Sequence, residues 1–259
     1  MTSLYHEYNW KYICRLFEGE KFIMIRTIIW FASFWVYLIF TLLPLIKVKK
    51  LDKQNRIKER DDLVFKTARK WAKSLVNLTG TKINIIGEEN LPKNETVVFV
   101  SNHQSNFDIP ILLGYINKPK AFIAKIEMAK FPIVSTWMKY MNCVFMDRKD
   151  IRHSLRSINQ GVEYIKKGYS MVVFPEGTRS IDGKLGDFKP GSLKLASKSG
   201  VPIVPVTVKG SNNIMSKNGF IIKPAIVNLI ISAPVDPKAI KDSTKLTETI
   251  REIIKDNLE

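Results

Sequence analysis

The chain has 259 residues, 45% hydrophobic and 25% charged, so it can bury one sizeable core and is neither a disordered nor a fibrous sequence. Its 41 Lys and Arg against 24 Asp and Glu give a formal net charge of +17. That excess calls for an anionic partner: nucleic acid, an anionic membrane surface or a phosphate-bearing substrate. Two cysteines, Cys14 and Cys143, offer neither a disulfide framework nor metal-ligand spacing. Only three histidines, His6, His103 and His153, compete for the role of a base.

Residues 4–17 place Tyr5, Tyr8, Tyr12 and Leu16 at helical spacing, the pattern of an interfacial amphipathic helix. From Thr27 to Ile46 there is no charged residue, a run of about 20 residues that matches the thickness of the hydrocarbon core. Trp30 and Trp35 within it suit lipid contact. Lys11, Arg15, Lys21 and Arg26 precede the run; Lys47, Lys49, Lys50, Lys53, Arg56 and Lys58 follow it. The stronger cluster follows, which puts the body of the protein on the cytoplasmic face of the membrane, against anionic lipid. The two basic flanks fit equally a helix pair that dips into one leaflet and returns. The expected organisation is a membrane-associated helical hairpin over residues 1–50, a basic linker helix over 51–80 and an α/β domain over 81–259.

Beyond residue 80 short apolar runs alternate with helical stretches. Strands are expected at 82–86, 97–101, 121–124, 143–146, 171–174, 203–208 and 226–232. Helices are expected near 109–116, 134–141, 151–167, 192–199 and 244–258. The alternation predicts an α/β fold: a largely parallel mixed sheet flanked by helices.

The polar clusters fall directly after expected strands. Residues 97–100 run into Ser101, Asn102, His103, Gln104, Ser105, Asn106, Phe107 and Asp108. Residues 121–124 precede Lys125, residues 144–146 precede Asp147 and Arg148, and residues 171–174 precede Pro175, Glu176, Gly177, Thr178 and Arg179. If these strands are parallel, all four loops open at the edge where open α/β sheets bind ligands.

A separation of five does not put His103 and Asp108 on one helical face, because neighbours lie three and four apart. Pro110 belongs in a first turn and sets the helix start near Asp108, so His103 stands on the strand-to-helix turn with Asp108 reaching back to it. A carboxylate on one ring nitrogen fixes the tautomer and leaves the other free to take a proton. Taken alone, the pair reads equally as a helix-capping aspartate beside a locally bonded histidine. Ser105 lacks the Gly-x-Ser-x-Gly turn of an activated nucleophile, so a base acting on a substrate's own hydroxyl fits better. Gly177 permits a tight turn, Arg179 offers a planar fork matched to phosphate oxygens, and Glu176 holds substrate hydroxyls or braces an arginine. Lys125 and Arg148 gain weight only from sharing the same edge.

In order along the chain, Asn102-His103-Gln104-Ser105-x-x-Asp108, Phe145-Met146-Asp147-Arg148, Phe174-Pro175-Glu176-Gly177-Thr178-Arg179 and Val201-Pro202-Ile203-Val204-Pro205-Val206 resemble the four motifs of the glycerolipid acyltransferases. The 1-acyl-glycerol-3-phosphate acyltransferase branch is the nearest match. The resemblance covers about residues 80–235. It implies that His103 deprotonates a glycerol hydroxyl for attack on an acyl thioester, with Asp108 orienting the ring. It also implies that Arg148 and the turn of Glu176, Gly177, Thr178 and Arg179 bind the glycerol phosphate, with Lys125 near the same phosphate. The fourth motif would shape the acyl-donor side. The implied reaction acylates lysophosphatidic acid to phosphatidic acid with acyl-CoA or acyl-carrier protein as donor, and needs no metal and no tightly bound cofactor. Two positions depart from the pattern: Asn142 and Ser135 stand where glycine is usual.

Three rival readings stay open. The acceptor could instead be glycerol 3-phosphate or another lysophospholipid. A membrane-tethered nucleic-acid-binding protein would also carry excess positive charge, but no recognisable binding motif is present and nucleic acid is not an expected partner. An inactive lipid-binding relative is opposed by the presence of every expected polar residue.

Overall fold

The computed structural model describes the backbone of residues 2–180, 182–189 and 191–259, with side chains from Lys21 onward other than Ser216. Seven strands form one sheet: β1 Lys82–Ile86, β2 Val98–Ser101, β3 Ala121–Lys125, β4 Val144–Met146, β5 Met171–Val173, β6 Ile203–Lys209 and β7 Ile226–Ile231. Their spatial order is β1-β7-β6-β2-β5-β3-β4. Every pairing is parallel except β6 with β7. The sheet is therefore mixed and largely parallel, as its sequence pattern predicts. β2 is buried at every residue and β6 at all but its last, because helices cover both faces and the strands read as continuous apolar runs. The edge strand β1 is exposed or half-exposed throughout.

Among the described residues eight α-helices surround the sheet: α1 Thr2–Phe40, α2 Leu42–Lys53, α3 Ile57–Leu78, α4 Asp108–Tyr115, α5 Pro132–Tyr140, α6 Ile151–Lys166, α7 Lys194–Ser199 and α8 Ser243–Asp256. α6 and α8 begin at aspartates whose carboxylates accept first-turn N–H groups: Asp150 from His153, and Asp242 from Thr244 and Lys245. Pro132 occupies the first position of α5.

The N-terminal segment departs from expectation. Instead of a hairpin within residues 1–50, α1 is one helix from Thr2 to Phe40, and α2 follows after the single residue Thr41. The side chains of the expected amphipathic stretch, residues 4–17, lie outside those described. No turn sequence interrupts residues 20–40, which explains the uninterrupted helix. The break comes at Thr41 because Pro44 cannot donate to the carbonyl four residues back, at Phe40. It divides the apolar run expected to act as one segment.

One face of this rod is docked on the body. Arg26 donates to the Thr79 carbonyl, Thr27 accepts the Ile222 N–H, and Trp30 Nε1 donates to the Leu75 carbonyl at 2.8 Å. Trp30 also packs on Phe34 and on Phe107, and Phe34 on Trp71. Thr41 accepts from Trp137 Nε1, and Leu45 and Val48 join Val64 and Trp137 in a second apolar cluster. These contacts recur every three or four residues, the spacing of one helical face. The opposite face is apolar and exposed, from Phe22 and Ile25 through Val36, Ile39 and Leu43 to Ile46, and basic at Lys47, Lys49 and Lys50.

One lysine sits in the core. Lys120 is 5% exposed; its Nζ donates to the Ile116 carbonyl and lies 5.9 Å from the ring centroids of Phe65 and Phe99. Burial lowers its pKa from 10.5 to about 7, and Arg69 and Lys118 push the same way. Between those two values the unfolded chain binds this proton more tightly than the folded one, so folding stability rises with pH across the window. The Lys120→Met variant is expected to melt higher than wild type by on the order of 5 °C at pH 6, where the charged form is buried at full cost. The gain should shrink as pH rises through 10.5, above which neither state holds the proton. Thermal unfolding in detergent across that range measures it.

Candidate active site

The loops that carry the four polar clusters follow β2, β3, β4 and β5. These strands are spatial neighbours, β2-β5-β3-β4, and all are parallel, so the loops emerge together at the carboxyl edge of the sheet. β6 runs parallel on the other side of β2 and delivers Gly210 and Ser211 to the same edge. Of the apolar fourth motif, Ile203 to Val206 are buried in β6, while Val201 and Pro202 precede the strand and are half-buried.

Asp108 is the first residue of α4 and is fully buried. Its Oδ2 faces His103 Nδ1 at 2.7 Å and accepts the main-chain N–H groups of Gln104 at 2.6 Å and Ser105 at 2.8 Å. Its Oδ1 accepts the Ser211 hydroxyl. A capping carboxylate would take N–H groups from the turn that follows it; Asp108 takes them from the loop that precedes it. The two readings left open by the spacing are thereby separated. With Asp108 on Nδ1, that nitrogen carries the proton and Nε2 is the acceptor. The His103 ring stacks on Phe174 at 4.1 Å between centroids, and its side chain is 15% exposed. Ser105 is fully buried, with its Oγ accepting the Phe107 N–H, so its hydroxyl is turned away from any substrate.

Glu176 is held by main-chain groups. Expected at the phosphate, it is 4% exposed, and both carboxylate oxygens are taken by the protein. Oε1 accepts the His103 main-chain N–H at 2.7 Å and Oε2 accepts that of Gly186 at 2.8 Å. Burial raises its pKa, and the two N–H donors pull it back down. The Ser180 N–H donates to the His103 carbonyl at 2.8 Å, so the base's peptide group is held from both sides.

The cations do gather. Arg148 Nη1 donates to the Gly177 carbonyl, and burial lowers the guanidinium's pKa while Glu127 opposes. Gly177 has φ +70, a conformation that glycine adopts freely. Arg179, exposed, donates to Asn106 Oδ1 at 2.8 Å and so ties the third motif to the first. Thr178 is exposed on the same turn, and Lys125 is exposed at the end of β3. Among the described residues, Lys125, Arg148 and Arg179 make no ion pair. Asn142 explains its departure from glycine: φ is 59, in the left-handed region that asparagine tolerates best among other residues. Ser135 is buried within α5 and does not disturb the loop.

Of two supporting residues, Ser211 carried no local signal in the sequence and Gln104, within the first motif, was given no role there. Ser211 lies 103 residues beyond Asp108 and is recognisable only once β6 is known to flank β2. Gln104 spans two loops, donating to the Gly183 carbonyl and accepting the Gly210 N–H.

A base held by a buried carboxylate, beside unpaired cations at a parallel sheet edge, is the equipment of an acyltransferase, and the Acyltransferase family model matches residues 82–209. A Mycoplasma pneumoniae protein named probable 1-acyl-sn-glycerol-3-phosphate acyltransferase is 35% identical over 192 residues, 68% of this chain and 70% of that relative. A chloroplastic 1-acyl-sn-glycerol-3-phosphate acyltransferase of Arabidopsis thaliana is 43% identical over 60% of this chain, which spans only 44% of that longer protein. The crystal structure of the 1-acyl-sn-glycerophosphate acyltransferase PlsC from Thermotoga maritima superposes with a TM-score of 0.84 at 32% identity, over 92% of this chain and 95% of that one. The chain belongs to the 1-acyl-sn-glycerol-3-phosphate acyltransferase family.

The bonds of Glu176 generate a prediction. Glu176→Gln replaces one accepting oxygen by a donor facing an N–H group, and is expected to cut kcat for acyl transfer about tenfold. The KM for the acyl acceptor should stay within a factor of about two, since both carboxylate oxygens are engaged by main-chain N–H groups. Steady-state kinetics with varied acceptor decide it: a KM rise at unchanged kcat would return Glu176 to the substrate.

Proposed function

We propose that this protein transfers a fatty acyl group from an acyl thioester to the sn-2 hydroxyl of lysophosphatidic acid, giving phosphatidic acid. The observation that carries the reading is the bond from Asp108 to His103 Nδ1, which leaves Nε2 as the acceptor at an edge shared with Lys125, Arg148 and Arg179. The cations hold the acceptor's phosphate, and Nε2 takes the proton of the neighbouring hydroxyl as its oxygen attacks the thioester carbonyl. Collapse of the tetrahedral adduct breaks the carbon–sulfur bond, and the imidazolium returns the proton to the departing thiolate. Asp108 stabilises the imidazolium between these steps. The reaction balances with the base and two substrates, so we propose no metal and no bound cofactor; acyl-CoA or acyl-carrier protein supplies the acyl group.

His103→Ala is expected to lower kcat/KM by at least about a thousandfold with the melting temperature unchanged. Purified protein given lysophosphatidic acid, glycerol 3-phosphate and other lysophospholipids should prefer the first. Full activity in the variant sinks the mechanism, and a different preferred acceptor sinks the substrate assignment.

The same reading places the protein on the cytoplasmic face, with the helical rod lying in the plane of one leaflet. The residues Lys21–Lys53, 33 in all, extend about 50 Å, and protein contacts recur along one face from Arg26 to Val48. A crossing helix would carry those polar contacts into hydrocarbon. An in-plane helix offers lipid only its free apolar face, while Lys47, Lys49 and Lys50 meet anionic headgroups. Ile39→Asp and Leu43→Asp are each expected to weaken binding to anionic vesicles about tenfold without lowering the melting temperature. Unaltered cosedimentation of the double variant would overturn this placement.

A further inference from the structure

Lys189 belongs to none of the four motifs, yet the fold carries it onto the third. Its main-chain N–H donates to the Pro175 carbonyl at 3.0 Å, which seats the residue on the turn after β5. The side chain then lies across Gly177. A Cβ at Gly177 would meet Lys189 Cε at 2.9 Å and Nζ at 3.0 Å, so the missing side chain is what lets the ammonium approach the turn. The carbonyl of the same glycine accepts the Arg148 guanidinium. Two cations thus flank one residue.

Glu127 acts on Arg148 electrostatically without pairing with it. Glu176, the acid within the turn, is buried with both oxygens on main-chain N–H groups. Among the described residues neither Lys189 nor Arg148 forms an ion pair. Like charges this close repel until an anion joins them. The turn also carries Phe174, on which the His103 ring stacks, so an anion held over Gly177 sits beside the base.

We propose that Lys189 binds the phosphate of the acyl acceptor, its ammonium taking oxygens that the planar arginines leave free. The assignment rests on the acyl-transfer reading above. Phosphate groups also occur on the acyl donor's carrier, so donor and acceptor are varied separately.

Lys189→Ala is expected to raise the KM for lysophosphatidic acid about 10- to 30-fold, with kcat changed less than about threefold and the donor KM unmoved. Preference for lysophosphatidic acid over phosphate-free monoacylglycerol should fall by the same factor, and Lys189→Arg should restore most of the loss. Equal melting temperatures exclude a folding defect as the cause. An unchanged acceptor KM, or a rise confined to the donor, overturns the proposal. If wild-type protein transfers no acyl group to lysophosphatidic acid, the functional reading fails on its own account, and titration calorimetry with inorganic phosphate then judges Lys189. Weaker phosphate binding by Lys189→Ala supports the site, and equal binding overturns it.

Discussion

A carboxylate with no solvent contact must find donors for both oxygens within the protein, or its burial costs several kcal/mol. Asp108 meets that demand with four: the His103 ring, two N–H groups of the loop after β2, and the hydroxyl of Ser211. The satisfied carboxylate therefore ties together the start of α4, the end of β2 and the end of β6. Glu176 repeats the solution one strand away, joining the loop after β2 to residue 186. Between them these two buried acids determine the position of His103 from its ring and from its peptide group. Lys125, Arg148 and Arg179, by contrast, form no ion pair among the described residues. The site spends its carboxylates on its own architecture and keeps its positive charge for a ligand.

Much of this was legible in the sequence, and the reasons are local. All seven strands fall within one or two residues of their apolar runs, and the central β2, β5 and β6 do so because strands buried on both faces read as nearly unbroken apolar runs. The convergence of His103, Lys125, Arg148 and the turn at Gly177 followed from one premise, that their strands are parallel, and the pairings bear it out. Pro110 put the start of α4 near Asp108, the residue at which the helix begins. What local pattern does not encode is the direction a side chain takes once neighbours from elsewhere in the chain arrive. Glu176 looks like a ligand-binding residue in its own segment; only the N–H groups of residues 103 and 186 turn it inward.

The N-terminal helices show the same limit on a larger scale. An uncharged run has the composition of a membrane crossing whether or not protein covers one side of it. Here α3, α5 and the loop before β7 cover that side, from Arg26 to Val48, and composition carries no sign of them. The break at Thr41, by contrast, is a consequence of Pro44 that can be read directly.

The bond between Thr27 and the Ile222 N–H joins residues 195 positions apart. During synthesis the first of them leaves the ribosome about 10 to 40 s before the second. The Leu75 carbonyl follows Trp30 by only 45 residues, so the docked face gains its first protein partners early and its last with Ile222. On the membrane placement proposed above, lipid covers the free apolar face during that interval, and the body of the protein assembles against a helix already seated at the bilayer.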